Sequence, residues 1–252
     1  SLNLFPCFLH SHFLVIDLLV SKATINQYVK HANSTMTTQI KPNKKEVTRE
    51  KNQKLILDAA EQLFSQLGYD GASMSMVAKE AQVPKANILY YFKSKDGLYE
   101  SVIDRIIANW NLGLDNVTIN DDPATVLYNY IKSKVILAVN QPMQSRLFAS
   151  EILRGAPYLQ NYFRTNTRPW VKQKVDVLQA WMDADKMDKV DPYHLLFTIW
   201  STTQYYADFQ AEVLLVMNKL EYDETDVAQI TQSIAHIILK GIGLKIPEQS
   251  ET

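Results

Sequence analysis

Residues 73–95 read Ser-Met-Ser-Met-Val-Ala-Lys-Glu-Ala-Gln-Val-Pro-Lys-Ala-Asn-Ile-Leu-Tyr-Tyr-Phe-Lys-Ser-Lys. Ser73 stands where a helix N-cap belongs, and Met76, Val77 and Ala81 mark a small apolar face behind it. The chain breaks at Gln82-Val83, and Pro84 suits the first position of a new helix because it has no backbone N–H to lose there. The second helix is expected to carry Lys85, Asn87, Tyr90 and Tyr91 outward and to bury Ile88, Leu89 and Phe92. Two short helices across a tight turn, the second polar and aromatic on its outer face, follow the helix-turn-helix plan, whose partner is double-stranded DNA.

Two short helices cannot make a core alone. Upstream, Leu55, Ile56, Ala59, Ala60, Leu63, Phe64 and Leu67 repeat at helical spacing between Thr48, a cap, and Gly68, a stop. A third helix over 48–67 is therefore expected behind the pair. Charge divides in the same place. From Met36 to Lys95 there are ten basic and six acidic residues, a balance of +4; from Asp96 onward there are 14 and 20, a balance of −6. A basic head on an acidic body fits a phosphate-binding domain joined to one that binds no DNA.

The first 35 residues hold an apolar run from Phe13 to Val20, interrupted by Asp17 and too short to span a bilayer. Met36 opens a polar, basic stretch, so translation is expected to begin there, with 1–47 a disordered extension and basic arm. The head then occupies 48–95 and the body 96–245. A membrane-associated interaction protein using residues 1–35 is the reading of a different class.

The body reads as helices throughout, which makes the fold class all-α: a three-helix DNA-binding domain followed by a helical ligand-binding and dimerisation domain. Leu98, Val102, Ile103, Ile106, Ile107 and Trp110 mark a connecting helix over 96–115. Asp122-Pro123, Pro142 and Asp191-Pro192 open further helices, and a last one runs from about Glu224 to Leu239. Pro169 lies inside a long helix from about Leu159 to Asp185, where a kink or break near Thr167 is expected. Cys7 is the single cysteine, so no disulfide framework or thiolate metal site is implied, and a reducing cytoplasm fits. No glycine-rich phosphate loop, metal-ligand spacing or nucleophile elbow appears, and nothing local organises His194 or His236; no enzyme, cofactor or metal is expected.

The run Ile-Leu-Asp-Ala-Ala-Glu-Gln-Leu-Phe-Ser-Gln-Leu-Gly-Tyr-Asp-Gly-Ala-Ser-Met, with Val-Ala-Lys-Glu-Ala-Gln-Val-Pro-Lys and Leu-Tyr-Tyr-Phe-Lys-Ser-Lys-Asp-Gly-Leu after it, resembles the N-terminal domain of the TetR family of transcriptional regulators over about sixty residues. The resemblance implies that Lys85, Ala86, Asn87 and Tyr90 face the major groove. It also implies that Ser73, Tyr91 and Lys95 hold phosphates and set register. Gln82 stands where glycine is usual, so a non-glycine side chain is expected near the left-handed region, and Ala86 stands where glycine or threonine is common.

In the body, Ser145-Arg146-Leu147-Phe148, Glu151-Ile152-Leu153 and above all Ile199-Trp200-Ser201-Thr202-Thr203-Gln204-Tyr205-Tyr206-Ala207-Asp208-Phe209 resemble the pyrimidine-utilisation branch of that family. This implies a uracil- or thymine-like effector. Trp200 and Gln204 share a helix face, and with Trp110 they would supply flat walls and an amide matching a cyclic imide's edge. Phe148, Arg146 and Thr203 are further candidates, with Glu151 an alternative partner for Arg146. Leu195, Ile199, Ile230, Ile234, Ile237 and Ile238 are expected to form the seam of a homodimer, whose half-sites would lie about 34–36 Å apart. The function implied is a cytoplasmic dimeric repressor released from a palindromic operator by a pyrimidine. The alternative within the family is a sensor of an unrelated small apolar or aromatic compound.

Overall fold

The computed structural model describes residues 44–247, and every regular element among them is helical. The expectations for the chain before Lys44, the Met36 start included, lie outside the described residues.

Helix α1 (Lys44–Gly71) begins four residues before Thr48, which is therefore an interior residue and not the cap. Gly68 does end the regular path: its φ of 70° lies in the left-handed region, and the chain turns there into the next element. Ile56, Ala59, Ala60 and Phe64 form the buried stripe, whereas Leu55 and Leu67, expected on it, are exposed. Helices α2 (Met74–Glu80) and α3 (Lys85–Phe92) complete the head. Val77, Ala81, Ile88 and Phe92 are buried. Met76 and Leu89, expected inside, point outward, and Met74 packs in place of Met76. Gln82 has φ 54°, the strained left-handed turn that its sequence position anticipates.

Helix α4 (Lys95–Asn111) follows with no slack. The Ser94 hydroxyl accepts from the Gly97 N–H at 3.0 Å, and a Cβ on Gly97 would collide with the Phe92 carbonyl. Helix α5 (Pro123–Asn140) is capped by Asp122, which accepts from the Thr125 N–H at 2.8 Å, and α6 is Pro142–Leu153.

A short turn at Gln160–Tyr162 leads into a π-helical segment, Phe163–Thr167, and then α7 (Arg168–Asp183). The disturbance expected near Thr167 is thus a widened turn, not a break. Pro169 has no N–H to donate, and the Thr165 hydroxyl satisfies the Asn161 carbonyl at 3.0 Å in the turn before it. Helix α8 (Pro192–Asp208) is capped by Asp191, α9 is Gln210–Val216, and α10 (Glu224–Gly241) opens with a reciprocal Asp223–Asp226 cap. Nothing in the sequence pattern singles out α9.

Two hydrophobic cores result. The first holds Ile56, Phe64, Val77, Ile88, Leu98 and Trp110, and it continues into the body through Leu147 and Leu159. The second holds Leu127, Ile131 and Val135 of α5, Leu178 and Trp181 of α7, Leu196 and Ile199 of α8, and Ile234 and Leu239 of α10. Leu195, Ile199, Ile230, Ile234 and Ile238, expected at a dimer seam, are buried inside this second core; of that set only Ile237 is exposed, at 73%. A helical stripe of that strength is consumed by the chain's own packing.

Candidate functional site

On α3 the outward residues Lys85, Ala86, Leu89 and Tyr90 lie at i, i+1, i+4 and i+5, a single face of the helix. Tyr90 is 68% exposed. Asn87 is half-buried at the edge of that face. Tyr91 packs against the first core, with its ring edge-on to Tyr90 at 5.1 Å. Lys93 folds back, donating to the Tyr90 carbonyl at 2.9 Å with its ammonium 5.5 Å from the Tyr90 ring. Ser73 is occupied: its hydroxyl accepts from the Met76 N–H at 3.2 Å and caps α2. The Lys95 ammonium lies 4.3 Å over the Tyr69 ring, and the Tyr69 hydroxyl donates to Asp96. Leu89 is the member of the outer face that hydrophobic periodicity misassigns to the core.

The head is tied to the body by several polar contacts. Arg105 of α4 grips Asp58 at 2.6 Å and Glu61 at 2.5 Å on α1. Gln144 of α6 donates to Glu61 at 2.7 Å, and Arg154 pairs with Asp70 at 3.2 Å. Glu151, 1% exposed, accepts from the Tyr99 hydroxyl at 3.3 Å and from the Tyr158 N–H at 2.9 Å. Burial and this carboxylate together push the Tyr99 hydroxyl above its ordinary range.

The sequence-assigned ligand residues divide between the two cores. Trp110 and Phe148 meet edge-to-face at 5.1 Å in the first. Trp200 packs on the second, where its Nε1 donates to the Tyr130 hydroxyl at 2.7 Å. Gln204 is half-buried one turn further along α8, and its side-chain amide makes no hydrogen bond to another described residue. Thr203 is fully buried and its hydroxyl returns to the Ile199 carbonyl at 2.7 Å. Arg146 is exposed and donates to the Pro142 carbonyl at 3.4 Å and to Gln210 at 3.3 Å; Glu151 is not its partner.

Beside the first of these aromatic groups stands Lys134 of α5, 5% exposed, its ammonium 4.5 Å from the Trp110 ring. Among the described residues it has no hydrogen-bond acceptor and no ion pair. Burial lowers its pKa from 10.5 to about 7, partly offset by the field of Asp208. Asp208 ends α8 and accepts from the buried Ser145 hydroxyl at 2.6 Å; its own pKa is raised by burial. Lys134 carries a signal in the sequence, since it continues the Leu127, Ile131, Ala138 stripe at i+3 and i+4 spacing. Among the described residues there is no group of three or more side chains that could hold a metal, and no helix long and apolar enough to cross a membrane.

Comparison with known proteins identifies the family. Residues 56–102 match the model of bacterial regulatory proteins of the tetR family, and 103–245 match that of the YcdC-like protein, C-terminal region. The HTH-type transcriptional regulator RutR of Escherichia coli (strain K12) is 35% identical over 189 residues, which cover 75% of this chain and 89% of that protein. A transcriptional regulator from Rhodococcus sp. Rha1 shares the fold with a TM-score of 0.56 at 17% identity, over 77% of this chain and 98% of that one. The Flavonoid-responsive Regulator FrrA does so with a TM-score of 0.53 at 19% identity, over 77% and 97%. These families are regulators of transcription and not enzymes, and this chain belongs to the TetR family of transcriptional regulators.

Proposed function

We propose that the chain acts as a homodimeric cytoplasmic repressor that binds a palindromic operator through two heads and leaves it when a pyrimidine such as uracil or thymine binds the body. In this reading residues 48–95 form the reading head and 96–245 the sensing and dimerisation body. One observation supports the sensing step most. Trp110 and Phe148 are packed into the core that contains the helix-turn-helix, whereas Trp200 packs on the other core with Gln204 one turn further along the same helix. A ring gripped from both sides stabilises one relative position of the two. If that position sets a head spacing that no longer fits the groove, operator affinity falls by the ligand's differential affinity for the two states.

The DNA contacts in this reading are Lys85, Ala86, Asn87 and Tyr90 on bases, with Leu89 beside them to meet a thymine methyl. Ser73, Tyr91 and Lys95 sit at the phosphates. Lys85→Ala weakens operator binding and lowers the salt slope by about one; unchanged binding at physiological salt removes α3 from the groove. Gln204→Ala weakens uracil or thymine binding and leaves ligand-free operator binding intact, and an unchanged ligand affinity takes Gln204 out of the site. The dimer in this reading uses the outer faces of α8 and α10, where Tyr193, Phe197, Tyr205 and Ile237 are exposed. Ile237→Glu is expected to shift sedimentation toward the monomer.

A further inference from the structure

Lys134 is the described cation of the sensing region that is buried against an aromatic ring with no oxygen bonded to its ammonium. An ammonium has three donors and no acceptor function, and a desolvated cation without an acceptor is costly. Here it has an aromatic wall on α4, the Trp110 ring, and no bonded oxygen. The groups around it are occupied. Asp208 at the end of α8 reaches Lys134 only through its field and is held by Ser145 of α6, while Arg146 of α6 is turned to Gln210. On α5 itself the Tyr130 hydroxyl accepts from Trp200. On α10, also packed against α5, Asp226 is bound by Lys219 and His236 is exposed.

We propose that Lys134 is a residue that recognises the effector, donating from a charged ammonium to a carbonyl oxygen of a flat, neutral amide or imide ring lying against Trp110, and that effector binding draws a proton from solvent onto that fraction of this amine which is neutral in the free protein. The proposal rests on the effector site described above and deepens it. A charged donor bonds a carbonyl oxygen about twice as strongly as a neutral one, so the bound state favours the protonated amine. In the free protein burial leaves that amine half-deprotonated near neutrality. The effector's carbonyl oxygen and the proton therefore arrive together, and affinity is flat in acid and falls as pH rises past neutrality.

Calorimetric titration of the full chain with uracil tests this. With a free-protein pKa of about 7, the dissociation constant near pH 8 should be about tenfold that near pH 6, a range in which uracil keeps its own imide proton. Near pH 7.5 the observed heat should differ between phosphate and Tris buffers in proportion to proton uptake. Lys134→Met, apolar and of similar length, should bind uracil more weakly and lose both the pH slope and the buffer dependence, with thermal unfolding verifying that it folds. Gln204→Ala should weaken binding at every pH and keep the slope. Equal affinity near pH 6 and pH 8 with buffer-independent heat overturns the Lys134 assignment and leaves the effector reading standing. A wild-type slope in Lys134→Met does the same. No uracil binding at any pH overturns the effector reading and the assignment with it.

Discussion

The first core and the second divide the molecule differently from its charge. Basic and acidic residues change over near Lys95, but the head's apolar core runs on along α4 to Trp110 and across to Leu147, Phe148 and Leu159. The second core, from α5, α7, α8 and α10, begins only beyond that. Much of what looks like body is therefore built as part of the head. No flexible joint has to carry a signal between them: Glu151 is sealed between α4 and the Tyr158 backbone, and Arg105 fastens α4 to α1.

That contrast can be broken or sharpened experimentally. Trp110→Ala should cost about 3–5 kcal/mol by urea unfolding, and hydrogen exchange should quicken in α1–α4 and α6 while α5, α8 and α10 stay protected. Uniform loss of protection would merge the two cores into one. Lys134→Met should raise stability at neutral pH by about 1–4 kcal/mol, because it removes a desolvated charge. The amine's folded value, about 7, lies below its ordinary 10.5, so the unfolded chain binds more protons between those limits. Wild-type stability rises with pH across that window, and the variant's advantage should shrink as pH climbs through it. A gap that does not change with pH would show the amine to be well solvated.

Within the second core alone, Tyr130→Phe leaves the Trp200 N–H without its acceptor and should cost about 1–3 kcal/mol, with exchange in α1–α3 unchanged. The smallest effect belongs to the head: Gln82→Gly relieves a positive φ and should raise stability by about 1 kcal/mol or less, read as a slight rise in melting temperature.

Local chemistry was readable in the sequence where a single residue decides it. Ser73, Asp122 and Asp191 cap the helices they precede, Pro123 opens its own, and Gln82 takes the left-handed turn; Pro84, expected at the first helical position, stands one residue earlier with extended backbone, so that Lys85 begins the helix. What periodicity leaves open is the identity of the surface on the other side. An apolar stripe on α10 reads equally well as a seam between two chains and as the chain's own interior, and Ile230, Ile234 and Ile238 went inward. Met76 and Leu89 show the same ambiguity in short helices, where two turns are too few to define a face. Lys134 is hidden for another reason. Its aliphatic stem fits an apolar stripe that its charge disguises, and only packing reveals which part of the side chain counts.

The π-helical turn at Phe163–Thr167 has a consequence for how this chain tolerates changes in length. Leu159 and Phe163 pack on the first core, and Val171 and Leu178 on the second. Counted at about 100° per residue along an unbroken α-helix, those two stripes would point roughly a quarter of a turn apart. A π turn takes up one surplus residue, and the lower half of the helix is wound back so that both stripes face the protein. The segment behaves as a splice in the helix. Removing Asn166, which is exposed, should let the turn close into ordinary α-helix with both stripes still seated. The same deletion three turns later, in α7, would turn every following side chain away from its neighbours.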